Sequence, residues 1–93
     1  MELRRLANFL GAYFHQDWAL DAASADEVIE GFVRDDGPDR ARELAAEIER
    51  LLATETSERA LEESLRKMGC YYCFKSDGLS ASEWLRRVRA KLR

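Results

Sequence analysis

The amino-acid sequence predicts an all-α fold: a single-domain bundle of about five short helices with a short extended segment before the last helix. Three observations carry this. Apolar residues recur at helical spacing along almost the whole chain. Two Ser-x-x-Glu boxes, Ser24 with Glu27 and Ser80 with Glu83, mark helix starts. Chain breakers are scarce, with one proline and five glycines, too few for the tight turns of an all-β domain. At 93 residues the chain is expected to form one domain, residues 1–93.

The stripe Leu3, Leu6, Phe9, Leu10, Tyr13 and Phe14 predicts a first helix over 2–14. Gly11 within it costs helix stability and marks a place where another element can approach closely. The period breaks over 15–23, which reads as a loop. Ser24 opens a second helix whose apolar face is Val28, Ile29, Phe32 and Val33. Asp36-Gly37-Pro38 ends it, with Asp36 placed to cap a third helix and Pro38 suited to its first turn. Ala41, Leu44, Ala45, Ile48, Leu51 and Leu52 fall on one face of that third helix. After a polar break over 54–57 comes a fourth, with Leu61, Leu65 and Met68 inside. Glu62–Arg66 and Glu63–Lys67 are spaced as outward ion pairs, and Gly69 is its stop. Residues 70–74 read as extended, with Cys70, Tyr72 and Phe74 inward and Tyr71 and Cys73 outward. Lys75 to Gly78 is a turn. Ala81, Trp84, Leu85, Val88 and Leu92 line the last helix.

Formal net charge is −3, which disfavours direct nucleic-acid binding, because phosphate contacts need clustered Lys and Arg. The charge is unevenly placed. Between His15 and Asp39 stand eight acids (Asp17, Asp21, Asp26, Glu27, Glu30, Asp35, Asp36, Asp39) and one base, Arg34. From Trp84 to Arg93 there are five bases and no acid, an arrangement that suits the negative end of the helix dipole. The first residues do not form a signal peptide and no apolar run approaches membrane-spanning length. The protein is therefore expected in the cytoplasm, without membrane contact, its two cysteines as thiols.

Each group of chemical interest has a plain alternative. His15 with Asp17 lacks a third group to complete a catalytic set; a histidine just past a helix end more simply meets the last carbonyls. Trp18 can fill the core with its N–H satisfied. Cys70-Tyr71-Tyr72-Cys73 is one CxxC pair, whereas structural zinc needs four ligands, and alternation in an extended segment explains it. No catalytic residue, metal or cofactor is expected. The acidic stretch exceeds what solubility needs and suits a basic partner.

Two blocks resemble the immunity proteins of bacterial contact-dependent growth inhibition systems, of the CdiI type. One is Phe9-Leu10-Gly11-Ala12-Tyr13-Phe14-His15-Gln16-Asp17-Trp18. The other is Leu65, then Gly69-Cys70-Tyr71-Tyr72, Asp77-Gly78-Leu79-Ser80 and Glu83-Trp84-Leu85. Between them lie a family-like segment over 27–32 and the helix over 41–52. Cys73 departs from the pattern, standing where an acidic residue is expected, which argues against a redox or metal role for it.

The resemblance implies a protein that protects a cell by binding the C-terminal toxin domain of a CdiA-type effector. Many such toxins are nucleases, so the expected action is occlusion of a basic active-site or substrate cleft. The free protein is expected to be a monomer that pairs 1:1 with toxin and catalyses nothing. The runner-up is a small helical adaptor or regulator for another basic cytoplasmic partner; the third is an enzyme using His15 and Asp17. The residues nominated for toxin binding are Asp17, Asp21, Glu30, Asp35, Asp36 and Tyr71. Tyr13, Phe14, His15, Trp18, Gly69, Cys70, Tyr72 and Trp84 are expected to be scaffold.

Overall fold

The computed structural model describes residues 3–55 and 57–92, the side chain of Asp21 excepted. Among them the chain is all helical, without a strand: α1 (Arg4–Tyr13), α2 (Trp18–Asp21), α3 (Ala25–Thr54), α4 (Glu58–Lys67), a 3₁₀ turn (Phe74–Asp77) and α5 (Ala81–Leu92). The expected start of the first helix at Glu2 lies outside the described residues. The all-α class is as expected, but the helix count is reached differently. Residues 18–21, read as loop, make the short α2. The expected second and third helices run together as α3, broken at Gly37.

Gly37 has φ +88° and ψ +167°. A side chain there would be strained, so glycine permits the corner. Pro38 follows it as the first residue of the second arm, where its missing N–H is harmless. Asp36 does not cap that arm: its carboxylate instead accepts from the Tyr13 hydroxyl at 2.9 Å.

Helix starts are capped as their residues require. Ser24 Oγ accepts from Glu27 N at 3.2 Å, and Ser57 Oγ from Ala60 N at 3.3 Å. The box at α5 is reciprocal: Ser80 Oγ accepts from Glu83 N at 3.2 Å while Glu83 Oε1 accepts from Ser80 N at 2.9 Å. Two acids from other helices complete the work. Glu58 accepts from Ala81 N and Ser82 N at 2.9 and 3.1 Å. Glu47, 5% exposed, accepts from Leu6 N at 2.9 Å in the first turn of α1, whose N-cap Leu3 has no side-chain acceptor. The outward pairs expected on α4 are exchanged: Glu62 reaches Lys75 at 2.6 Å and Glu63 reaches back to Arg59 at 3.9 Å.

α4 stops in a Schellman turn. Gly69, at φ +90°, donates to Arg66 O, and Cys70 donates to Leu65 O. A Cβ on Gly69 would lie 3.5 Å from the Cα of Gly11, so the two glycines set the close approach of α1 to the end of α4. α5 packs mainly along α3, with α1 on α3 and α4 on α5. Leu6, Leu10, Ile29, Ile48, Leu65 and Leu85 are fully buried between them, each contributing about 1.5–3 kcal/mol relative to exposure.

Candidate functional site

The first arm of α3 carries the acidic stretch. Asp26 and Glu30 stand one helical turn apart, opposite Arg87 and Lys91 on α5, themselves one turn apart. Arg87 donates twice to Asp26, through Nε at 3.1 Å and through Nη2. Lys91 Nζ lies 3.1 Å from Glu30 and 4.0 Å from Asp26. The guanidinium holds the Asp26 carboxyl below the usual range, and Asp26 in turn raises Arg87. Arg89 adds a looser pair with Glu49 at 3.9 Å. The basic last helix therefore clamps the acidic arm, a duty beyond the dipole complement expected for it. Glu30, nominated for toxin binding, is thus one of the two acids in that clamp.

The other acids divide. Asp35 lies 3.7 Å from exposed Arg34, an arrangement of little energetic weight. Asp39 pairs with Arg42 on its own helix. Asp36 holds the Tyr13 hydroxyl, whose pKa is raised by burial and then by that carboxylate. Asp17 and Glu27 are exposed, and their carboxylates meet no side-chain partner among the described residues. The Asp21 side chain lies outside the described residues.

The motif blocks meet around one aromatic cluster. Phe14, Tyr72 and Trp84 are buried, with ring centroids 5.3 Å apart for Phe14–Trp84 and 5.0 Å for Tyr72–Trp84, distances that favour tilted and edge contacts. Trp18 caps the cluster at 5.5 Å from Phe14 and 5.4 Å from Tyr72. It is half-buried rather than a core filler. Tyr13 is half-buried in a second cluster with Phe9 and Phe32. The hydroxyl of Tyr72 donates to Asp77, and burial with that contact pushes its pKa well up. His15 serves the start of α2: its Nδ1 accepts from Asp17 N at 3.1 Å, and its carbonyl accepts from Trp18 N.

Residues 70–73 have no regular structure and alternate as their side chains dictate. Tyr72 and Phe74 are buried, Cys70 is half-buried, and Tyr71 and Cys73 are exposed. Tyr71 N donates to Phe14 O at 2.8 Å, tying this segment to the end of α1. Its ring, 61% exposed, borders an open cleft of about 480 Å³ that Glu62, Arg66, Cys73 and Lys75 also line. The two thiols differ. Burial pushes Cys70 up to about 11, whereas the Ser76 hydroxyl, donating to Cys73 Sγ at 3.1 Å, lowers Cys73. Among the described residues no group of three or more His, Cys, Asp or Glu is placed to hold a metal.

Leu20 is the surface residue that sequence reasoning passed over. It is 83% exposed on α2, and its signal was a large apolar side chain among acids in a stretch without period. Glu47 was missed too, although an acid three residues after Leu44 and four before Leu51 interrupts an apolar face.

No curated protein and no solved structure matches the chain. The family whose model matches it, over residues 2–92, is described as CdiI immunity protein.

Proposed function

Since the chain belongs to the CdiI immunity protein family, we propose that it neutralises a contact-dependent growth inhibition toxin by binding the C-terminal toxin domain of a CdiA-type effector through its acidic face. Protection against such a toxin is what the family does. The finer reading is that the toxin is a nuclease and that carboxylates from the stretch Asp17 to Asp36 enter its basic cleft, where substrate phosphates would lie. The protein acts by occupancy and catalyses no reaction. It does so in the cytoplasm as one immunity protein per toxin, and no helix among the described residues is long and apolar enough to cross a membrane.

The observation that supports this reading is the exposure of Asp17, Asp35 and Asp36 along one acid-rich stretch. A carboxylate facing Lys or Arg in a partly desolvated cleft makes a charge-assisted hydrogen bond. Glu30 and Asp36 are available only by exchange with Lys91 and Tyr13, so their contributions are smaller. The test is to search the adjacent upstream reading frame for a CdiA-type protein and to co-express its C-terminal toxin domain with this chain. Restored growth and a 1:1 copurified complex are expected. Unrelieved toxicity with folded protein present would refute the reading and return the chain to the adaptor class.

A further inference from the structure

We infer that the cleft between α4 and the 70–75 segment receives a toxin segment that carries a carboxylate beside an apolar side chain, Arg66 taking the carboxylate and Tyr71 the apolar group. This rests on the functional reading above and adds to it a second contact, opposite in sign to the acidic stretch.

The cleft is one open space of about 480 Å³, lined by Arg66, Tyr71, Glu62 and Lys75 together. Beneath them its lining is packed into the core: Leu65 is 1% exposed, and Tyr72 and Phe74 are 8% exposed each. Its walls are tied in place. Cys70 N donates to Leu65 O at 3.1 Å, and Tyr71 N donates to Phe14 O at 2.8 Å. Lys75 closes on Glu62 at 2.6 Å, joining the segment to α4. A site whose walls are set beforehand loses little freedom on binding. Over this base the Tyr71 ring stands 61% exposed.

Charge indicates the occupant. Lys75 and Glu62 are spent on each other. Arg66 is exposed and has no acidic partner among the described residues, so the charge left over in the cleft is positive. A cation in the last turn of α4 suits the helix dipole, but Lys67 does that equally and borders a different cleft. Tyr and Arg are the residue types that carry most energy at protein interfaces, and a guanidinium can give a carboxylate two parallel hydrogen bonds. One free cation is too few to hold a nucleic-acid backbone, so the acid is a protein carboxylate. The open shape suits a projecting loop of a large partner; a small molecule needs a pocket that buries most of its surface. The acidic stretch and this cleft attract opposite charges, so a toxin docked the wrong way round would set like against like.

The experiment uses the CdiA-type toxin domain sought in the adjacent upstream reading frame, inactivated at its own active site. Its binding is measured to Arg66→Gln, Arg66→Lys, Tyr71→Ala, Tyr71→Phe and Lys67→Gln, each checked for fold by circular dichroism. Arg66→Gln and Tyr71→Ala should each weaken affinity by about tenfold or more, a loss of about 1.4 kcal/mol, through faster dissociation. Arg66→Lys should fall between, since it keeps the charge and loses the fork. Tyr71→Phe and Lys67→Gln should stay within about threefold of the parent. The inference is overturned if Arg66→Gln loses no more than Lys67→Gln, or if Tyr71→Ala binds within about twofold of the parent. A self-associated free protein that Arg66→Glu disperses would give the cleft to a second copy and overturn it too. If charge reversal at Asp17 or Asp35 weakens binding when the cleft variants do not, the functional reading stands and only the cleft contact falls. If the parent protein does not bind this domain at all, the functional reading itself has failed, and the inference with it.

Discussion

Replacing Glu47 by alanine is expected to destabilise the protein by about 2–3 kcal/mol. Its carboxylate is 5% exposed and accepts from Leu6 N at 2.9 Å. Removing it strands a buried donor in the first turn of α1, at a cost of about 1–3 kcal/mol. The anion also faces the positive end of the α1 dipole, an interaction of about 0.3–1 kcal/mol. The contact with Arg5 at 3.4 Å adds little, because Arg5 is largely exposed and keeps Glu43 at 2.7 Å. In a domain of this size the total corresponds to a fall in Tm of roughly 10–20 °C. Glu47→Gln keeps a carbonyl oxygen for Leu6 and should lose only the charge part, about 0.3–1 kcal/mol. Thermal unfolding followed by circular dichroism at neutral pH, with Glu43→Ala as a surface control, separates these terms. Equal losses for Ala and Gln, or a loss below about 0.5 kcal/mol for Ala, would refute the trans-capping argument.

Trp18→Ala should cost about 1.5–3 kcal/mol, below the range for a fully buried ring, because Trp18 caps the cluster instead of filling it; urea unfolding checks this, and a cost near 5 kcal/mol would mean the ring is core. Gly69→Ala should cost about 1–2 kcal/mol, nearly all from φ +90°, since the new Cβ makes an ordinary 3.5 Å contact with Gly11; an unchanged melting temperature would contradict it. Stability should fall on both sides of neutrality. Asp26 and Glu58 are held below their ordinary values of 3.8 and 4.5, chiefly by hydrogen bonds from Arg87 and Ser82. Their contribution is present above those values and is lost as pH falls below them, and Arg87→Gln should shrink the acid loss. Burial raises Cys70 from 9.0 to about 11, so its contribution is lost as pH rises from 9 towards 11, and Cys70→Ala should flatten that alkaline slope.

Local chemistry was legible in the sequence. Both box serines cap their helices, with the glutamate returning the contact only at Ser80; Gly69 ends α4 with positive φ, and the inward and outward alternation over 70–74 holds. What could not be read is what the chain brings together from a distance. Asp26 and Arg87 are 61 residues apart, so an acidic stretch and a basic tail looked like two separate fields, when much of one neutralises the other. Glu47 and Glu58 cap helices other than their own, which no local pattern announces. α2 was missed because four residues are too few to set a period, yet it displays Leu20 and Asp17. Among the residues nominated for toxin contact, Glu30 and Asp36 carry internal partners, while Asp17 and Tyr71 remain exposed.

The central claim is that carboxylates on this protein recognise a basic toxin. Association and dissociation rates for the neighbouring toxin domain, measured at low and high salt with charge reversal at Asp17, Asp21, Glu30 and Asp35, test it most directly. The account predicts slower association and a weaker salt dependence for every reversal, with faster dissociation as well where a carboxylate is desolvated, losses of roughly 2–5 kcal/mol at such a position and a fold unchanged by circular dichroism. Rates equal to those of the parent at all four positions, together with loss of binding on changes in the basic α5, would contradict it and place the recognition surface elsewhere.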